Sequence, residues 1–275
     1  MEKIRVFCYG NSPRVFKSII AGKYCGTEVE YVGAQKTTGL KDWLWDYNAQ
    51  PLSDNDKTKY LQFKRAAKGV GFSDALYKTD DFMQLHPFGT VPAAFANGGT
   101  IGITESNSIM RAVARAGSFQ HKLYGSNPHE ASRIDGFLDQ SLVFSVSTQK
   151  YFLSSLSSPN SLDYKAYALA KKALNSYLTA LEHSISSYQP RKFILGEQLS
   201  LVDICFACEI CMFAAEKRLA TSLDKAGEPP IVASIKDHAA CEALFQDLLN
   251  MPYFASELQS HYDIVCDVIS KESAK

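Results

Sequence analysis

The stretch HPFGTVPAAFANGGTIGITESNSIMRAVA, residues 86–114, decides the architecture of this chain. A strand is entered through Val91-Pro92, and proline is confined to strand starts and edges because it donates no ladder hydrogen bond. Asn97-Gly98-Gly99 is a turn signal, and residues 100–104 read as the returning strand of a hairpin. Ser106 and Asn107 then stand where a helix cap belongs, ahead of an apolar stripe at Ile109, Met110, Val113 and Ala114. The order here is strand, strand, helix.

Working back, residues 4–9 alternate around aromatic and β-branched types and read as a first strand. Asn11-Ser12-Pro13 supplies a cap and a proline at the first helical position, followed by Val15, Phe16, Ile19, Ile20 and Tyr24 at helical spacing. Gly26 ends that helix, and residues 27–32 alternate as a second strand, so a parallel βαβ unit opens the chain. Between them, residues 34–80 lose periodicity. They hold eight Lys or Arg, six Asp and both tryptophans, which points to a surface elaboration carrying short helices, one of them capped by Asp54 and running over 57–67.

Working forward, Gly117 marks a change of character. Residues 129–156, 161–188, a segment from Ser200, and 233–269 with a break at Pro252 all carry apolar residues at helical spacing. The expected fold class is therefore α+β, an α/β domain over 1–117 followed by an all-helical domain over 127–270, with an irregular insertion at 34–80.

Composition narrows the function. Of 275 residues, 46% are apolar and 21% charged, the balance of a folded globular protein. Lys plus Arg equals Asp plus Glu at 29 each, so no global field draws nucleic acid or an anionic membrane. The opening MEKIRVFCYGNSPRVF contains no long apolar run, and the expected location is cytoplasmic. Seven scattered cysteines favour reduced thiols. Cys205, Cys208 and Cys211 lie in a helix-patterned segment with no second ligand pair at zinc spacing, so no metal is expected.

The order of elements resembles the soluble glutathione transferase family, in which a thioredoxin-like domain precedes a helical bundle. Residues 86–114 resemble its proline-before-strand turn and Glu-Ser pair. FILGEQLSLVDICFA, residues 193–207, resembles its buried Ser-x-x-Asp capping box. IRVFCYGNSPRVFKSIIAGKYCG (4–26) and ALFQDLLNMPYFASEL (243–258) look like the N-terminal region of translation elongation factor 1 gamma, a group within the same fold family.

The resemblance implies a site. Pro92 would follow a cis peptide bond, leaving the Val91 amide and carbonyl to pair with glutathione, itself an extended peptide. Ser106 and the first helix amides would hold the γ-glutamyl carboxylate, and Glu105 its ammonium. Tyr9 or Ser12 would donate to the glutathione sulfur, since a free thiol near pKa 8.5 is mostly protonated at neutral pH. Gly10 stands where serine-type classes carry a hydroxyl, and Thr90 where many members carry a lysine, so Arg14 or Lys17 would answer the charge of glutathione. Cys8 should point to the opposite face from Tyr9, and the turn 9–14 holds no cysteine, against thioredoxin-type redox chemistry. Ser200 and Asp203 read as a capping box with a folding role.

Two functions follow from the resemblance. One is conjugation of glutathione, as substrate rather than cofactor, to a small electrophile by a homodimer. The alternative is a non-catalytic scaffold that binds the subunits of the elongation factor 1B complex.

Overall fold

Strand β1 (Lys3–Tyr9) runs through the middle of the first sheet, with Ile4, Val6, Phe7 and Cys8 buried. The computed structural model describes residues 3–66, 75–117, 122–187 and 192–273 and divides into two compact units, Met1–His121 and Lys122–Lys275. In the first unit β1 leads to α1 (Pro13–Cys25), which begins at Pro13 after Ser12 and ends at Gly26 in the left-handed region. Strand β2 (Glu28–Ala34) returns parallel to β1, from Lys3↔Glu28 to Tyr9↔Ala34. Gly33 is obligatory in that ladder: at φ +150°, a Cβ would lie 1.6 Å from the Cys8 carbonyl oxygen.

After β2 come β3 (Trp43–Trp45), β4 (Gln50–Pro51), α2 (Asp54–Lys59), β5 (Lys64–Arg65), β6 (Leu76–Lys78) and α3 (Asp80–Leu85). The unit closes with β7 (Ala93–Ala96), β8 (Ile101–Thr104) and α4 (Ser106–Ala116). The main sheet has the order β2-β1-β7-β8, with β7 antiparallel to both neighbours, as the hairpin and the βαβ opening require. Thr27 at the start of β2 donates its hydroxyl to the Val113 carbonyl of α4 at 2.8 Å, tying helix to sheet.

Residues 34–80 differ from expectation. The described residues among them build a second sheet, β4-β3-β6-β5, rather than only a surface elaboration. Trp45 is fully buried and packs edge-on against Phe7 and Phe82, at 5.2 and 5.6 Å between ring centroids, so the segment completes the core of the first unit. The helix expected from Asp54 is short. Ser53 caps it through a reciprocal box with Asp56, α2 stops at Lys59, and a 3-10 turn and β5 follow; Ala67 lies outside the described residues.

The second unit is helical among its described residues: α5 (Pro128–Ser157), α6 (Tyr164–Ser186), α7 (Leu201–Cys211), α8 (Ala220–Ala226), α9 (Ala239–Leu249) and α10 (Phe254–Ser273). The expected end of the second long helix at Tyr188 lies outside the described residues. Asn127 and Asp163 cap α5 and α6. Every residue of α7 is buried, including Cys205, Cys208 and Cys211, and no group of metal-ligating side chains forms among the described residues. The Ser200–Asp203 box is present. Asp203 also accepts from the Ile194 amide at 2.8 Å, and burial raises its carboxyl pKa to about 6. No described helix is long and apolar enough to cross a membrane.

Candidate ligand-binding site in the N-terminal unit

Strand register gathers the residues singled out from sequence. The ladders pair Tyr9 with Ala34, Phe7 with Ala93, and Ala93 with Thr104. Tyr9 ends β1, Val91-Pro92 leads into Ala93, and Glu105-Ser106 follows Thr104. These residues therefore share the end of the sheet at which β1 runs out. The Val91–Pro92 peptide is cis, and β7 begins only at Ala93, so Val91 stands outside the ladder. Tyr9 and Val91 are half-buried against the cluster of Phe7, Trp45, Phe82 and Phe95.

The turn after β1 is fastened to β2. The Ala34 carbonyl accepts the Gly10 amide at 2.6 Å and the Tyr31 hydroxyl at 2.8 Å, which holds Gly10 to Ser12 beside the sheet end. Burial raises the Tyr9 pKa; Cys8 adds to this, and the hydroxyls of Ser12 and Thr37 and the charge of Arg14 pull it back. At neutral pH the phenol is thus a protonated donor and not a base. Ser12 is 1% exposed and lies beside that phenol, yet its hydroxyl completes no hydrogen bond at good geometry, leaving a donor to spare in the turn. Cys8 faces the other way, and burial pushes its thiol up to about 12, which removes it as a nucleophile.

The start of α4 corrects one expectation. The cap position is occupied by Glu105 and not by Ser106 or Asn107: Ser106 is the first helical residue, and the Glu105 side chain makes no capping hydrogen bond. Glu105 is exposed and held at φ 67°, ψ 129°, a conformation that costs a non-glycine residue about 1 to 3 kcal/mol and that clusters at functional sites. Asn107 is buried and accepts from the Lys17 ammonium at 3.0 Å, while the same ammonium lies 3.5 Å from the Ser106 hydroxyl. Lys17 is 1% exposed. The Lys17 Nζ therefore lies beside the N-terminal end of α4, the end of a helix whose dipole favours an anion.

Arg14 is half-buried, and its charge is felt by both Tyr9 and Cys8. Sequence reasoning missed Lys78. Its ammonium, fully buried on β6, donates to the Gly89 carbonyl at 2.7 Å and lies 4.8 Å from the Trp45 ring centroid, bracing the loop that leads into Val91-Pro92. Thr37 was missed as well, because it belongs to the non-periodic segment. Lys17 does carry a signal, since it falls four residues after Pro13 and four before Ala21 on the buried face of α1.

A thioredoxin-like sheet followed in the chain by an all-helical unit is the fold of the soluble glutathione transferases. Residues 146–227 match the family described as glutathione S-transferase, C-terminal domain. The chain is similar to a Bombyx mori glutathione transferase, at 15% identity and a TM-score of 0.61 over 98% of this chain and 97% of that one. It is also similar to a glutathione S-transferase-like protein of Lodderomyces elongisporus, at 17% identity and a TM-score of 0.61 over 93% and 95% of the two chains. A Rhodospirillum rubrum glutathione S-transferase matches at 16% identity and a TM-score of 0.58, over 93% and 91%. No curated protein matches the sequence.

Proposed function

We propose that this chain binds glutathione at the end of its first sheet and conjugates it to small electrophiles. The observation that supports the reading is the pairing of Phe7 with Ala93 and of Ala93 with Thr104, which brings the strand ends carrying Tyr9, Val91-Pro92 and Glu105-Ser106 to one end of the sheet, with the Lys17 Nζ 3.5 Å from the Ser106 hydroxyl. In this reading the Val91 amide and carbonyl pair with the peptide backbone. Ser106 and the α4 amides take the γ-glutamyl carboxylate, the adjacent ammonium meets Glu105, and Arg14 adds positive charge. Tyr9 or Ser12 donates to the sulfur and lowers its pKa by favouring the thiolate. The thiolate attacks the electrophilic carbon and a carbon–sulfur bond forms; the displaced electron pair leaves with the halide, or stays on the epoxide oxygen or isothiocyanate nitrogen, which takes up a proton from water.

The assembly we propose is a homodimer. Val143 and Val146 stand exposed on α5, an apolar face of the kind that marks a protein contact. The cytoplasm is the proposed location.

The test is turnover of glutathione with aromatic halides, epoxides and isothiocyanates above the buffer rate. Tyr9→Phe and Ser12→Ala are assayed beside the parent, and one of them should lower kcat more than glutathione affinity. Ser106→Ala should weaken affinity itself. Absence of turnover, together with stoichiometric capture of elongation factor 1B subunits from the cell of origin, would replace the enzyme with a scaffold.

A further inference from the structure

Away from the sheet end, the second sheet of the first unit carries a cavity of about 410 Å³ lined by Lys41, Asp42, Lys57, Lys64, Ala75 and Tyr77. That volume falls within the range of small-molecule sites. The three lysines come from separate elements: Lys41 from the 3-10 turn Thr37–Asp42, Lys57 from α2 and Lys64 from β5. Converging like charges repel, and among the described residues one carboxylate in the lining offsets them. That carboxylate, Asp42, is engaged by Lys57 at 2.7 Å, with Asp54 at 3.2 Å on the same ammonium, so Lys57 is held in place. Among the described residues neither Lys41 nor Lys64 has a carboxylate partner. Lys64 instead lies 5.6 Å from the centroid of the Tyr77 ring, whose buried face closes one side of the cavity.

We propose that this cavity binds a small polyanion of the diphosphate class, with Lys41 and Lys64 as the groups that meet its oxygens and Lys57, braced by Asp42 and Asp54, as a fixed third charge. A compact, multiply charged ligand answers several ammonium groups at once. A long polyanion such as nucleic acid fits poorly, because Asp54 and Asp56 of α2 and Asp80 of α3 interrupt any wider basic face. The proposal is independent of the glutathione reading, since it uses none of the residues at the sheet end.

Calorimetric titration of the full chain with pyrophosphate and with adenosine diphosphate tests it. Saturable binding is expected, and Lys41→Ala and Lys64→Ala should each weaken Kd about tenfold, the change a lost charge-assisted hydrogen bond corresponds to. Lys41→Arg should restore most of the affinity. Both lysines are exposed, so the variants should melt as the parent does. Equal affinity for the two probes assigns the site to the phosphate chemistry alone, and tighter binding of the nucleotide assigns it to a phosphate carried on a ring. Failure of both probes to saturate, or affinities untouched by the two alanine variants, overturns the proposal. Heats reproduced by KCl at matched ionic strength overturn it too.

Discussion

His86 gives a pH dependence that can be worked through. The imidazole is 0% exposed and sits between Phe82 and Phe95, at 5.0 and 4.7 Å between ring centroids. Neither ring nitrogen has a hydrogen-bond partner among the described residues. Burial lowers its pKa from 6.5 to about 4, because the charged form would lose its water and gain nothing. Between those two values the unfolded chain takes up a proton that the folded chain refuses. Stability is therefore whole above pH 6.5 and falls as the pH drops towards 4, at about 1.36 kcal/mol per pH unit and about 3 kcal/mol in all. The buried carboxyls of Asp203 and Glu216, raised to about 6 and about 7, act with the opposite sign. Their contribution is present at low pH and lost as pH rises through those values, so a single profile mixes the effects. Urea unfolding of the parent and of His86→Leu from about pH 4.5 to 7.5 separates them, and the parent should lose about 2 to 3 kcal/mol relative to the variant on going to the acid end. Parallel pH profiles would refute the reasoning and mean that the imidazole is protonated in the folded chain.

Glu105→Gly should raise the melting temperature while weakening glutathione binding, because glycine relieves the positive φ, by about 1 kcal/mol, and removes the carboxylate; calorimetry reads both. Asp203→Ala strands the amides of Ser200 and Ile194 in a buried site and should cost about 2 to 4 kcal/mol in denaturant unfolding. Trp45→Ala should cost about 3 to 5 kcal/mol by the same measurement, whereas a substitution on α2, which buries no residue, should cost little.

Much of this organisation was legible because it is written in periods and punctuation. Alternation marks β1 and β2, Asn97-Gly98-Gly99 marks the hairpin, and Ser200 with Asp203 marks a helix start. The second sheet was not legible for a geometric reason. Its strands are two or three residues long, too short to show a period of two, and Trp43-Leu44-Trp45 sits between Asp42 and Asp46. Its burial comes from partners distant in sequence, Phe7 and Phe82. At the candidate site, Tyr9, Ser12, Arg14, Val91, Pro92, Glu105 and Ser106 are singled out by motif and resemblance, and the strands that carry or adjoin them finish at one end of the sheet. The cap was misplaced by one residue because a glutamate at positive φ is not a usual helix start. Lys78 escaped because a charged residue in a short strand reads as surface, and only the three-dimensional neighbours, Trp45 and the Gly89 carbonyl, reveal it.

The placement of both tryptophans on β3 bears on how unfolding of this chain is observed. Indole emission reports the first unit alone, Trp45 from its core and Trp43 from half-way to solvent. Far-ultraviolet circular dichroism is dominated by the long helices α5, α6 and α10 of the second unit. The two optical signals thus follow different halves of one polypeptide without any added label. Coincident transitions would make the chain a single cooperative system, and a gap between the midpoints would measure how far one half outlasts the other.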